Sequence, residues 1–121
     1  MIDFDAAIEA HVEWKMRLRI LLDSGEAASA YPDELEAADR CSFGRWLRSD
    51  GRRLESDPVY GALDRFHAEF HRSAATVIHL AAVGERLQAE STLAGEYARN
   101  SVNLLSALME LRRRVGAQGD L

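Results

Sequence analysis

The 121-residue sequence predicts an all-α protein, a four-helix bundle with long first, third and last helices and a shorter second helix after Cys41. Three observations predict it. Apolar residues recur in alternating steps of three and four along most of the chain, which gathers them on one side of a helix rather than alternating them across a strand. Only two prolines, Pro32 and Pro58, interrupt the pattern. Hydrophobic residues make up 47% of the chain, enough for a packed core, and its length fits a single domain over residues 1–121.

The first helix is expected over residues 2 to 23. Its seam reads Phe4, Ala7, His11, Trp14, Leu18 and Leu21, and Ser24-Gly25 stops it. Residues 25 to 40 are small and acidic, contain Tyr31-Pro32, and read as a loop. A short helix starts after Cys41 with Ser42 as its N-cap and runs through Trp46-Leu47 to Asp50-Gly51. Asp57 caps the third helix, and Pro58 fits its first position because that N–H needs no partner. Its seam is Tyr60, Leu63, His67, Phe70, Ala74, Val77 and Ala81, fading near Gly84. Residues 84 to 95 read as a bend or a short helix. The last helix carries Tyr97, Ser101, Leu104, Leu108, Leu111 and Val115, and ends at Gly116 and Gly119. Three long helices and one short piece close a bundle.

Charge and composition exclude some functions. A net charge of −5 is the wrong sign for a nucleic-acid binder. No stretch approaches the roughly 20 consecutive apolar residues of a membrane span. The start, MIDFDAAIEA, lacks the basic and apolar regions of a signal peptide, so a cytoplasmic protein is expected. Cys41 is the only cysteine and has no internal partner, which leaves it as filler, reactive thiol or metal ligand. The basic runs Lys15, Arg17, Arg19 and Arg112-Arg113-Arg114 read as an outer face and as a helix C-terminus complementing its dipole.

The chemistry concentrates in the histidines. His67 and His71 are four apart, so both imidazoles leave the same side of one helix and converge. His11 occupies the facing seam of the first helix, and Cys41 precedes the short helix. Together they make a His3Cys donor set. Nitrogen and sulfur donors favour zinc, with copper or iron as competitors. Four protein donors close a tetrahedral site, whereas catalytic zinc keeps a position open, so the expected role is structural or regulatory with no catalytic residue. In His67-Ala-Glu-Phe-His71 the acid is Glu69, one position away from its place in the His-Glu-x-x-His hydrolase motif. The competing reading makes each seam histidine a hydrogen-bonded core residue. His79 lies eight residues past His71, about 12 Å along a helix, too far to share an ion. Trp14 and Trp46 are expected to form a hydrophobic shell, Gly44 to permit close approach in the Cys41 turn, and backbone carbonyls or Glu69, Asp64 and Asp39 to orient the imidazoles.

Three segments in order, His11-Val-Glu-Trp14-Lys15, Cys41-Ser-Phe-Gly44-Arg-Trp46-Leu47 and His67-Ala-Glu-Phe70-His71, resemble the bacterial chemoreceptor zinc-binding (CZB) domain. Weaker echoes follow in Gly95-Glu-Tyr97 and Ser101-Val-Asn-Leu104, so the similarity runs from about residue 5 to 111. The resemblance implies a four-helix fold, a His3Cys zinc site and often a homodimer. It also implies a regulatory role in signalling through chemoreceptors or diguanylate cyclases, with the cysteine as a sensor of hypochlorous acid. The chain shows no signalling coiled coil, cyclase domain or membrane segment, so the expectation is a free-standing module acting through a partner or buffering zinc. Two other classes compete. One is a plain structural zinc bundle. The other is a metalloenzyme or di-iron bundle, but Asp64 and His67 form a single acid-histidine pair where a di-iron site uses two, and hemerythrin-like oxygen binding needs more histidines.

Overall fold

The computed structural model describes residues 3–24 and 41–117. The expected loop over residues 25 to 40 and the chain end at Gly119 lie outside the described residues. The described chain is helical, in the order α1 (Phe4–Ser24), α2 (Ser42–Arg48), a 3-10 turn (Asp50–Leu54), α3 (Pro58–Ala82), α4 (Arg86–Thr92), a π turn (Leu93–Tyr97) and α5 (Ala98–Ala117). Thr92, Leu93 and Ala98 all keep right-handed helical backbone angles, so α4, the π turn and α5 form one continuous rod. With α1, α2 and α3 this rod makes an all-α, four-helix bundle.

The start of α3 follows the sequence closely. Asp57 sits in an extended conformation and its carboxylate accepts the Val59 N–H at 2.9 Å, with Pro58 opening the helix. At the other end Gly84 takes φ 86°, a left-handed conformation that turns the chain out of α3. The short helix that is one option for residues 84 to 95 is α4, and it runs on into the last helix, so the rod begins at Arg86 rather than near Tyr97; few inward apolar residues mark this stretch in the sequence. Only Ala89 and Leu93 are buried there, while Leu87 is 87% exposed.

The seams hold with three corrections. On α1 the last buried residue is Leu22, and Leu21 is only partly buried. At 100° per residue, Leu22 lies about 40° from the mean direction of the five preceding seam residues and Leu21 about 60°, so the drift of a 3.6-residue helix against a strict heptad selects Leu22. On α3 the buried face is wider than one seam and adds His71, Ser73 and Ile78, while Tyr60 and Ala81 are half-buried. On α5 the half-buried Ser101 gives way to Ala107.

Ion pairs fix how the helices run. Arg112 bonds Asp5, and Arg114 bonds Asp57 at 2.9 Å, which sets the end of α5 beside the starts of α1 and α3. Arg113 and Arg114 also bond Glu110. The arginine run therefore ties helices together instead of only capping a dipole. Arg19 grips Glu90 with two nitrogens at 2.7 and 2.6 Å and joins α1 to α4. No helix among the described residues is long and apolar enough to cross a membrane.

Candidate metal centre

Three elements deliver the four donor residues. α1 buries His11 on its seam, α3 buries His67 and His71 one turn apart, and Cys41 stands at the head of α2. The three histidines are at most 4% exposed, and Cys41 is the partly exposed member. One ligand atom from each residue falls in a group whose members all lie within 4.8 Å of one another. His79 stays apart from this group and is exposed.

The sequence places the cap of α2 one residue late. Cys41, not Ser42, is the N-cap: its backbone is extended and its sulfur accepts the Gly44 N–H at 3.3 Å. A cap residue contributes an acceptor to an early helix N–H, and a sulfur can fill that place although it is a weaker acceptor than a hydroxyl.

The contacts inside the cluster are short. Nε2 of His67 lies 3.1 Å from Sγ of Cys41 and 3.1 Å from Nε2 of His71. A ring nitrogen offers one lone pair or one proton, so Nε2 of His67 cannot make a full hydrogen bond to both neighbours. A cation shared by the donors resolves the crowding. Zinc bond lengths put tetrahedral donors about 3.3 Å apart for two nitrogens and about 3.6 Å for nitrogen and sulfur, so these separations are within about half an ångström of a fit. Nitrogen and thiolate donors suit zinc by chemistry as well as by spacing.

The electrostatics favour neutral, metal-ready imidazoles. Burial is the largest cause that pushes His67 down to about 2, with the neighbouring His71, His11 and Arg48 adding to it. Burial also pushes His11 down to about 4, against a hydrogen bond to the Ala7 carbonyl and with His71 lowering it further. That hydrogen bond sets the tautomer. A carbonyl only accepts, so Nδ1 of His11 donates to Ala7 at 2.7 Å and leaves the Nε2 lone pair for the cluster.

The surrounding shell differs from expectation. The rings in contact with the imidazoles are Phe43 and Phe70. Phe43 meets His11 and His67 edge-on at 6.0 and 5.2 Å, and Phe70 meets His11 and His71 at 5.2 and 5.5 Å. Trp46 stacks behind Phe43 at 5.8 Å, one layer out, and Trp14 carries Arg17 over its ring at 4.8 Å. The signal for Phe43 and Phe70 was in the sequence: one follows Cys41 by two residues and the other lies between the paired histidines. Of the carboxylates considered as orienting groups, Asp64 faces Arg48 at 3.6 Å, and Asp39 lies outside the described residues. The orienting group observed for His11 is a backbone carbonyl. Gly44 is buried in the Cys41 turn, and a close approach is present at Gly51, where a Cβ would stand 2.9 Å from the Trp46 ring.

Comparison with protein families finds a match to the model described as chemoreceptor zinc-binding domain over residues 11–78, more than half of the chain. The matched span begins at His11 and includes Cys41, His67 and His71. It is shorter than the 5–111 range of the sequence resemblance. No curated protein and no solved structure matches the chain.

Proposed function

This chain belongs to the chemoreceptor zinc-binding domain family, and from that premise we propose that it is a zinc-responsive regulatory module in which His11, Cys41, His67 and His71 are the four ligands. The observation that carries the reading is the crowding at Nε2 of His67, 3.1 Å from both a sulfur and a second ring nitrogen. Polar side chains are brought this close in an apolar surround when a shared ion compensates them.

Bound zinc would supply a tie between α1, the Cys41 turn and α3 and would hold the sulfur as thiolate. The residues do the rest. His11, fixed by Ala7, presents one lone pair; His67 and His71 present two more from one helix face. Phe43 and Phe70 keep water from the imidazoles. Four protein donors leave no place for a substrate, which favours a regulatory role over a catalytic one. Without the ion the buried imidazoles face each other uncompensated, which favours opening of α1 and α2 from α3. Cys41, the partly exposed donor, adds a second input: an oxidant that converts its thiolate to sulfenic acid removes one ligand. The partner is a chemoreceptor or diguanylate cyclase pathway protein, met by a homodimer of this domain.

Metal content of protein purified without added metal tests the reading. One zinc per chain is expected, falling towards zero in Cys41→Ala with helical circular dichroism retained. Two irons per chain, or full zinc in the Cys41→Ala variant, would overturn it.

A further inference from the structure

The donors are sealed on most sides. His67 and His71 are 1% exposed and His11 is 4% exposed, while Cys41 is half-open. One cleft among the described residues reaches the donors. It has a volume of about 420 Å³ and its lining includes both His11 and Cys41. Besides His11, its α1 wall is made of Ala6, Ala7 and Ala10 and of Glu13, Trp14 and Arg17. Alanines at these positions are what leave the space: Ala6 and Ala10 are exposed, on the part of α1 that flanks the Cys41 turn. A water occupies about 30 Å³ of liquid, so the cleft has room for a hydrated cation or for a small chelating molecule. The groove at the other end of α1, lined by Met16, Ile20, Ala94 and Ala98, includes none of the four donors.

We propose that the Ala6–Ala10 cleft is the exchange port of the metal centre, through which zinc and small zinc-chelating molecules reach Cys41 first and the buried histidines after it. The inference rests on the zinc reading above and goes beyond it to the route. The exchange is ligand substitution. The Cys41 sulfur gives up its bond to the metal as a donor atom of the incoming chelator forms one, the histidines follow in turn, and no electrons are transferred. Cys41 is then the first donor made on loading and the first released on removal, which places the redox-active residue at the mouth of the site.

Two readouts test the port, one with metal and one without. In the zinc-loaded protein, the rate of transfer to pyridylazoresorcinol is measured for wild type, Ala10→Leu and Ala6→Leu, with Ala94→Leu in the distant groove as control. In the metal-free protein, the rate of Cys41 alkylation by iodoacetamide is measured for the same set. The expected result is that a leucine in the cleft slows both rates roughly tenfold, since it must be displaced for passage, at unchanged zinc stoichiometry and equilibrium affinity. Ala94→Leu leaves both rates at the wild-type value. Unchanged rates in both cleft variants, or equal slowing by Ala94→Leu, would overturn the port while leaving the zinc site standing. Absence of zinc from the wild type would instead remove the reading on which it rests. Two cleft variants one turn apart guard against either one failing to fold.

Discussion

The two halves of α1 and α3 are built on the same seams and are held together differently. In the C-terminal halves the buried residues are Leu18 and Leu22 on α1 and Ser73, Ala74, Val77 and Ile78 on α3, with Ala89 and Leu93 buried on the next rod. That half is apolar apart from the Ser73 hydroxyl, which donates to the Phe70 carbonyl at 3.0 Å, and it closes without help. In the N-terminal half of α1 and near the middle of α3 the buried positions carry His11, His67 and His71, with Cys41 beside them and a ring shell of Phe43 and Phe70. Burial of the imidazoles there costs free energy that hydrocarbon does not return. The difference teaches that one half can serve as a fixed base while the other depends on an ion, which is the division a responsive module needs.

Removing one ligand breaks the comparison most sharply. His67→Ala takes away the nitrogen that touches both Sγ of Cys41 and Nε2 of His71. Zinc affinity should fall by more than the roughly 10–100-fold that loss of an outer-shell partner costs. Competition against a chromophoric chelator measures it. Hydrogen exchange on the same variant should speed up in α2 and the first half of α1 and change little around Val77 and Ile78. Equal loosening of both halves would show that they are one cooperative unit.

Truncation in the apolar half supplies the converse. Leu18 is fully buried, so Leu18→Ala should destabilise by about 2–5 kcal/mol in urea, by the transfer and cavity terms of a deleted core side chain. The loss should be similar with and without zinc, because Leu18 is not a donor. A loss confined to the zinc-loaded protein would tie that half to the metal after all.

How much of this was legible follows from what each pattern encodes. Seam periodicity encodes which way a side chain faces, so α1, α3 and α5 and the inward placement of His11, His67 and His71 could be read directly. It does not encode width, so Ser73 and Ile78, which extend the buried face of α3 beyond the seam and His71, were missed. Between residues 84 and 95 few side chains are buried, so the sequence had little periodicity to show although the backbone is helical. The π turn leaves no mark in composition. Cys41 as a cap was missed because Ser42 is the better acceptor by type, and only the fold shows that the sulfur occupies that place. Phe43 and Phe70 were in view, the one inside a motif and the other as a seam residue, but not as the shell of the site, since a ring edge against an imidazole is a fact of three dimensions.

Acid separates the halves more gently. His11 and His67 sit near 4 and 2 in the folded chain against 6.5 for a free histidine. Below pH 6.5 the unfolded chain binds protons that the folded chain refuses, so it gains relative to the folded state. The contribution is therefore fully present above pH 6.5 and is lost as the pH falls from 6.5 through 4 and towards 2. The urea midpoint of metal-free protein should be lower at pH 5 than at pH 7.5. Replacing His11 and His67 together by leucine should flatten that dependence, and a wild-type midpoint that rises on acidification would contradict the assignment.

The smallest effect probes the seam between the halves. Tyr97 closes the π turn, is fully buried, and packs its ring on Phe70 at 5.2 Å, which in turn meets His11 and His71. Its hydroxyl has no hydrogen-bond partner among the described residues, and burial pushes its pKa well above the ordinary tyrosine range, so it stays a neutral donor with nothing to donate to. Removing a buried, unpartnered hydroxyl while keeping the ring forfeits no contact and relieves its desolvation. Tyr97→Phe should therefore leave zinc affinity unchanged and hold or slightly raise the melting temperature, whereas any change at Phe70 should disturb both. A clear loss of stability in Tyr97→Phe would mean that the hydroxyl holds an ordered water, and the link from the ion through Phe70 to the rod would then be a polar one.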